Sequence, residues 1–152
     1  MKLDFRLVFY ALTSIGLMFS VFAGEPQQKL PVSKLQIGSA EIAAEVADEP
    51  KEREIGMMFR TEMGENDGML FVMESPSRAA FWMKNTLIPL SIAYISSSGL
   101  ILEIHEMLPK DETPVPSRFT TIAYALEMPG GWFSRRNIKP GAKIEGLPPL
   151  PL

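Results

Sequence analysis

Short apolar runs, separated by turn-forming residues, recur along most of this chain and limit what it can fold into. Ile42, Ala44 and Val46 alternate with Glu41, Ala43 and Glu45, and Leu35 and Ile37 alternate with polar neighbours just before them. Gly38-Ser39 between the two runs predicts a hairpin. Met69–Met73 follows the Glu65-Asn66-Asp67-Gly68 turn and is broken by Ser75-Pro76-Ser77. Ala79–Thr86 reads as the next strand. Leu90–Ile95 and Leu100–Met107 flank Ser96-Ser97-Ser98-Gly99, a second hairpin. Leu108–Ser117 holds Pro109, Pro114 and Pro116 and cannot be a regular element. Phe119–Met128 alternates again, and Lys143-Ile144 is a last short strand. About seven short strands at this spacing predict a mainly β (β-rich α+β) domain, a compact antiparallel barrel-like or sandwich fold. One helix is expected from the Asp48-Glu49-Pro50 start to about Phe59, with Ile55, Met58 and Phe59 on one face. A shorter one is expected at Trp132–Arg136, after Gly130-Gly131.

The N-terminus has a different character. Lys2 and Arg6 precede Leu7–Phe22, a stretch without charge, and Val21-Phe22-Ala23 places small residues at the −3 and −1 positions. Residues 1–23 therefore read as a signal peptide cleaved after Ala23. The apolar stretch is shorter than the ~20 residues a spanning helix needs. Gly24 follows the cleavage point, not a lipid-accepting Cys, so the product is expected to carry no stable membrane anchor. Removing 23 residues from 152 leaves 129 and takes the net charge from −3 to −4, because Lys2, Arg6 and Asp4 leave together. That is one domain's length. The expected organisation is a flexible leader at 24–33 with Pro26 and Pro31, a single barrel-like domain at 34–147, and a Pro-rich tail at 148–152. A short, Met-rich exported chain points to the bacterial periplasm or the exterior.

Composition then excludes chemistries. The chain has no cysteine and one histidine, His105. Disulfide frameworks, thiol nucleophiles and His-rich zinc sites are ruled out, and no cofactor is expected. Acidic residues outnumber basic ones 18 to 15, which is the wrong balance for a nucleic-acid partner.

Three stretches stand out together: Arg-Glu-Ile-Gly-Met-Met-Phe-Arg at 53–60, Gly68 through Phe81-Trp82-Met83-Lys84-Asn85-Thr86 to Leu90, and Tyr-Ala-Leu-Glu-Met-Pro-Gly-Gly-Trp at 124–132. In order and spacing they resemble the uncharacterised domain-of-unknown-function family 192 of bacteria and archaea. The Phe-Trp-Met-Lys-Asn-Thr hexapeptide is the most specific element, and the resemblance covers about residues 35–146. It implies a small, mostly β domain with a barrel-like core and implies no reaction. Two positions depart from the pattern: Met57 stands where the family usually has Leu, and Ser91 where it usually has Asp.

The residues themselves suggest binding. On a strand, Trp82, Lys84 and Thr86 would share one face, and Phe81, Met83 and Asn85 the other. An aromatic plane beside an ammonium and a hydroxyl suits a sugar or a small anion. The alternative is a half-buried strand with Lys84 lying along the surface and Trp82 packed under a loop. Arg53 and Arg60 could clamp Glu127, the acid that interrupts an apolar strand, or Arg60 and Lys84 could converge on an anion. Trp132 joins Trp82 and the 108–118 loop as a candidate protein-docking surface. His105 shares a face with Glu103, and no Gly-x-Ser-x-Gly elbow supports a hydrolase triad. Glu62, Glu65, Asn66 and Asp67 read as a turn, not a calcium loop. Eight methionines remain after Met1 and Met18 are set aside; they read as core, with Cu(I) ligation the minor alternative.

The expectation is a non-enzymatic domain binding a small polar ligand, carbohydrate or anion, on a barrel face. The candidate residues are Arg53, Arg60, Trp82, Lys84, Asn85, Thr86, Glu127 and Trp132, with no catalytic or metal-ligating residue assigned. The alternative is an interaction module for an envelope protein. A hydrolase using carboxylates such as Glu127 ranks below both.

Overall fold

A computed structural model describes residues 24–151. The expected signal peptide, 1–23, lies outside the described residues. The two expected hairpins form. β1 (Val32–Ile37) and β2 (Ala40–Ala47) pair antiparallel around the 38–39 turn. α1 (Pro50–Ile55), β3 (Asp67–Ser77) and β4 (Ala80–Phe81) follow. β5 (Leu90–Ser96) and β6 (Ile101–Met107) make the second hairpin. β7 (Val115–Pro116), β8 (Ile122–Pro129), α2 (Trp132–Arg135) and β9 (Ile144–Glu145) complete the chain. Seven strands make one curled sheet in the order β6-β5-β8-β3-β2-β1-β9, and β4 pairs with β7 in a second sheet of two strands. The fold is mainly β, a half-barrel.

Curling brings the two ends of the sheet together at one point. Leu100, just before β6, bridges to Lys143, just before β9. The Ile101 N–H donates to the Ala142 carbonyl (2.9 Å) and the Ile144 N–H to the Gly99 carbonyl (2.8 Å). Gly99 permits this approach: it sits at φ +82, and a Cβ there would lie 2.7 Å from the Ile144 carbonyl oxygen.

Three local expectations are corrected. β2 and β3 pair in parallel, so the sheet is not wholly antiparallel. A parallel pair needs a crossover, and this one carries α1 and residues 56–66 over one face of the sheet. α1 stops at Ile55, not near Phe59, because Gly56 at φ 51 and Phe59 at φ 63 turn the chain. The strand expected over 79–86 ends at Phe81, and Asn85 at φ 54 turns the rest away.

The central strands β3, β5 and β8 are buried on both faces, which is why they read as near-continuous apolar runs. One face, enclosed by the curl, packs Leu35, Ile42, Leu70, Ile95, Leu126 and Phe133 around Trp132. The other packs Met69, Phe71, Ile92, Tyr94 and Ala125 under Met57 and Met83. The leader crosses this second side and is hydrogen-bonded to it. Gln27 Nε2 donates to the Gly56 carbonyl (2.9 Å), the Leu30 N–H to Glu45 (2.9 Å), and the Val46 N–H to the Pro31 carbonyl (2.8 Å). No helix among the described residues is long and apolar enough to cross a membrane.

Candidate functional site

A cleft of about 750 Å³ opens on the second face, between α1 and the turn that follows β4. Arg53, Trp82, Lys84, Asn85, Thr86 and Glu127 all line it, together with Phe71, Met73 and Phe81. Six of the eight candidates from the sequence therefore meet in one place.

The turn is what displays Trp82 and Lys84. Backbone bonds fix it from both sides: the Phe59 N–H to the Asn85 carbonyl (2.8 Å), the Met83 N–H to the Asp111 carbonyl (2.8 Å) and the Lys110 N–H to the Thr86 carbonyl (3.0 Å). Met83 is buried beneath it. The face assignment made for a continuous strand changes accordingly. Trp82 and Lys84 point outward, Thr86 is buried with its hydroxyl donating to the Lys84 carbonyl (3.3 Å), and Asn85 is exposed instead of facing the core. Trp82 is 47 % exposed, and the Lys84 ammonium lies 5.4 Å from its ring centroid.

Glu127 sits at the floor. β8 pairs it with Met69 on β3 and Ile92 on β5, both apolar and buried, so its carboxyl enters an otherwise apolar layer. Its Oε2 is buried and has no hydrogen-bond partner among the described residues. Burial pushes its pKa up to about 8, since the charged form loses its hydration and gains no cation in return. Tyr94, nearby on the same face, donates to the Val115 carbonyl, and burial pushes its phenol upward, reinforced by Glu103 and Glu127.

Neither arginine clamps Glu127, which corrects that expectation. Arg53 Nη2 pairs with Glu74 (2.7 Å), and its Nη1 donates to the Val72 carbonyl (3.2 Å) and to the Asp48 carbonyl. Arg60 lies outside the cleft and holds Glu45 with two bonds, 2.6 and 2.7 Å. Burial raises Glu45, but the Arg60 bonds and the Leu30 N–H outweigh it and keep the carboxyl below its ordinary value. The convergence of Arg60 and Lys84 on one anion does not occur, because Arg60 is turned onto β2 by Glu45.

Trp132 is corrected too. It is fully buried in the enclosed face, donates from Nε1 to Asn66 Oδ1 (3.1 Å), and carries the Arg136 guanidinium over its ring at 4.4 Å. A buried indole cannot dock a partner. His105 Nε2 contacts Glu103 Oε2 at 3.0 Å, and Glu103 also accepts the backbone N–H of Arg118. Ser91, at the family's Asp position, is buried, donates to Glu106 (2.6 Å) and accepts the Gly131 N–H (2.7 Å), a structural junction away from the cleft. Phe71, Met73 and Phe81 were missed as cleft residues. Their apolar character marks core, and nothing local in the sequence separates a core position from a cleft wall.

Residues 33–146 match the sequence profile of the DUF192 family, described as uncharacterized ACR. No curated protein matches the chain. Among solved structures, a candidate transcription regulator from Sinorhizobium meliloti 1021 is similar at 32% identity and a TM-score of 0.75, covering 79% of this chain and 97% of that one. A protein of unknown function from Novosphingobium aromaticivorans DSM 12444 is similar at 37% identity and a TM-score of 0.72, covering 81% of this chain and 91% of that one.

Proposed function

This chain belongs to the DUF192 family, and from its own geometry we propose that it is an exported binding protein whose cleft takes a small ligand of the carbohydrate class. The observation that carries the reading is Glu127: a carboxyl with an unpartnered oxygen in a cleft that the exposed Trp82 also lines. Buried polar groups are normally satisfied, and one left open where a ligand can reach invites a donor from that ligand. A hydroxylated ring supplies the donor and offers an apolar face to the indole. An anion is the weaker fit, because Arg53 already pairs with Glu74 and Arg60 with Glu45, which leaves neither guanidinium free to meet it. The export half of the reading rests on the sequence of residues 1–23 and predicts a mature chain beginning at Gly24, which intact mass measurement checks.

Isothermal titration with neutral disaccharides, and separately with small organic acids, tests the ligand class. Sugar binding is expected in the wild type and weakened about five- to thirtyfold in Trp82→Ala, since stacking contributes about 1–2 kcal/mol. Binding by the acids alone, or sugar binding indifferent to Trp82, overturns the reading.

A second reading is favoured by one specific observation. A carboxyl held protonated near neutral pH is what a general acid requires, so the cleft could serve a hydrolase with Glu127 as proton donor. Release of reducing ends from a bound oligosaccharide, abolished in Glu127→Gln, would favour that enzyme over simple binding.

A further inference from the structure

The cleft floor narrows the ligand further than stacking on Trp82 does. Two of the three cations lining the cleft are engaged elsewhere: Arg53 is held by Glu74 and two backbone carbonyls, and Lys84 lies over the Trp82 ring, while Lys51 stands on α1. Glu127 Oε2 is left without a partner among apolar neighbours. Such a group is destabilising unless something arrives to satisfy it. A neutral hydroxyl returns one ordinary hydrogen bond. An ammonium returns a charge-assisted bond, roughly twice as strong, and the drier the site the larger the difference. The rings of Phe71 and Phe81, packed edge-to-face at 4.8 Å beside the cleft, add aromatic surface that favours a cation over an anion.

We propose that the ligand is an amino sugar, seated with its ring on Trp82 and its protonated amine on the Glu127 carboxylate. The inference rests on the carbohydrate reading above and goes beyond it by assigning the group that meets the floor.

Burial holds Glu127 protonated below about pH 8. Forming the ion pair breaks its O–H bond, and that proton leaves to the solvent while the ligand amine keeps its own. The other charged groups lining this space are Lys51, Arg53 and Glu54 on α1 and Lys84 on the turn, and Tyr94 on β5 feels the Glu127 charge without lining the cleft. Tyr94 is held neutral by burial. Glu127 is therefore the source of the released proton.

The test is isothermal titration at pH 6.5 in two buffers of different ionisation enthalpy. The probes are three disaccharides with one β-1,4-linked glucose skeleton: cellobiose, the glucosamine dimer and N,N′-diacetylchitobiose. They differ only at the 2-position. The glucosamine dimer is expected to bind tighter than cellobiose, with its advantage growing as pH rises from 6.5 toward 8, because removing the Glu127 proton works against the ion pair below that value. It alone should release close to one proton. Glu127→Gln, with thermal unfolding measured to show that it is folded, should level the three affinities and abolish the release. Equal affinities for cellobiose and the amine, no proton release, or an amine preference that survives Glu127→Gln each overturn the amino-sugar assignment while leaving the carbohydrate reading in place. Failure of all three probes to bind the wild type overturns both.

Discussion

Glu127 brings a carboxyl into the apolar layer between Met69 and Ile92, where neither Arg53 nor Arg60 reaches it. As an acid between Leu126 and Met128 it stands out on reading alone, but an arginine clamp is the natural expectation for it. The clamp fails for a reason of register: Arg60 meets Glu45 on β2, and Arg53 reaches Glu74 at the far end of β3. Which of several acids faces which arginine is set by strand pairing across the sheet, and no local pattern records it. The unpaired carboxyl has a thermodynamic consequence. Its pKa is about 8 folded and near 4.5 unfolded, so between these values the folded state binds more protons. Stability then falls as pH rises from about 4.5 to 8, by an amount on the order of 3 kcal/mol at pH 7. Glu45 and Glu103 act with the opposite sign and in a lower window. Their folded carboxyls lie below the ordinary value despite burial, because Arg60 holds one and His105 with backbone N–H groups holds the other. The stability they contribute is lost only as pH drops below about 4.5. Urea denaturation of wild type and Glu127→Gln from pH 5 to pH 8 should show a declining wild-type curve and a much flatter variant. Parallel curves would mean that Glu127 ionises freely in the folded protein.

At the level of elements, the hairpins at 32–47 and 90–107 are legible because alternation, turn residues and length all agree. The segment from 79 to 86 is not. Its apolar and polar residues alternate as a strand would, yet pairing stops after Phe81, where the two-residue partner β7 ends among prolines. The alternation continues through a turn, with Trp82 out, Met83 in and Lys84 out. Asn85 makes the turn, in the left-handed region at φ 54 that Asn tolerates better than other side chains. It is exposed, so its backbone conformation can be tested with little disturbance to packing. Asn85→Gly should leave the thermal midpoint nearly unchanged. Asn85→Val forces a β-branched residue into that region and should cost about 1–2 kcal/mol. Because the Asn85 carbonyl accepts the Phe59 N–H, the same change should also shift Trp82 and weaken ligand binding. Equal stability of the two variants in calorimetry would show that the turn carries no conformational demand. The parallel β2–β3 pair was equally hidden. A helix after a hairpin is compatible with either strand direction, and only the crossover over the second face decides it.

The whole molecule is organised around three strands shared by two cores. β3, β5 and β8 send alternate side chains into the enclosed face around Trp132 and into the face below the cleft. Opening either face exposes the same central strands, so the two cores should unfold together. The curl that encloses one of them, closed at Leu100 and Lys143, is a tertiary result that strand spacing only hints at. The two tryptophans of the chain happen to report on the two sides: Trp132 is fully buried in one, and Trp82 stands at the lip of the other. Trp82→Phe leaves Trp132 as sole reporter, and Trp132→Phe leaves Trp82. The second variant will be less stable, by about 1–3 kcal/mol for a trimmed and reshaped core. Comparison is therefore made within each variant, fluorescence against far-UV circular dichroism along one urea series. Coincident midpoints in both variants are expected, since no boundary between cores lies along the backbone. Ligand addition under native conditions should separate the reporters instead. Trp82 emission changes on binding because its ring is covered, while Trp132, shielded by the sheet, keeps its spectrum. A Trp82 transition at lower urea than the circular dichroism of the same variant would make the cleft side a separate unfolding unit. The loss of an unpaired acid's penalty in Glu127→Gln would then appear at that lower transition alone.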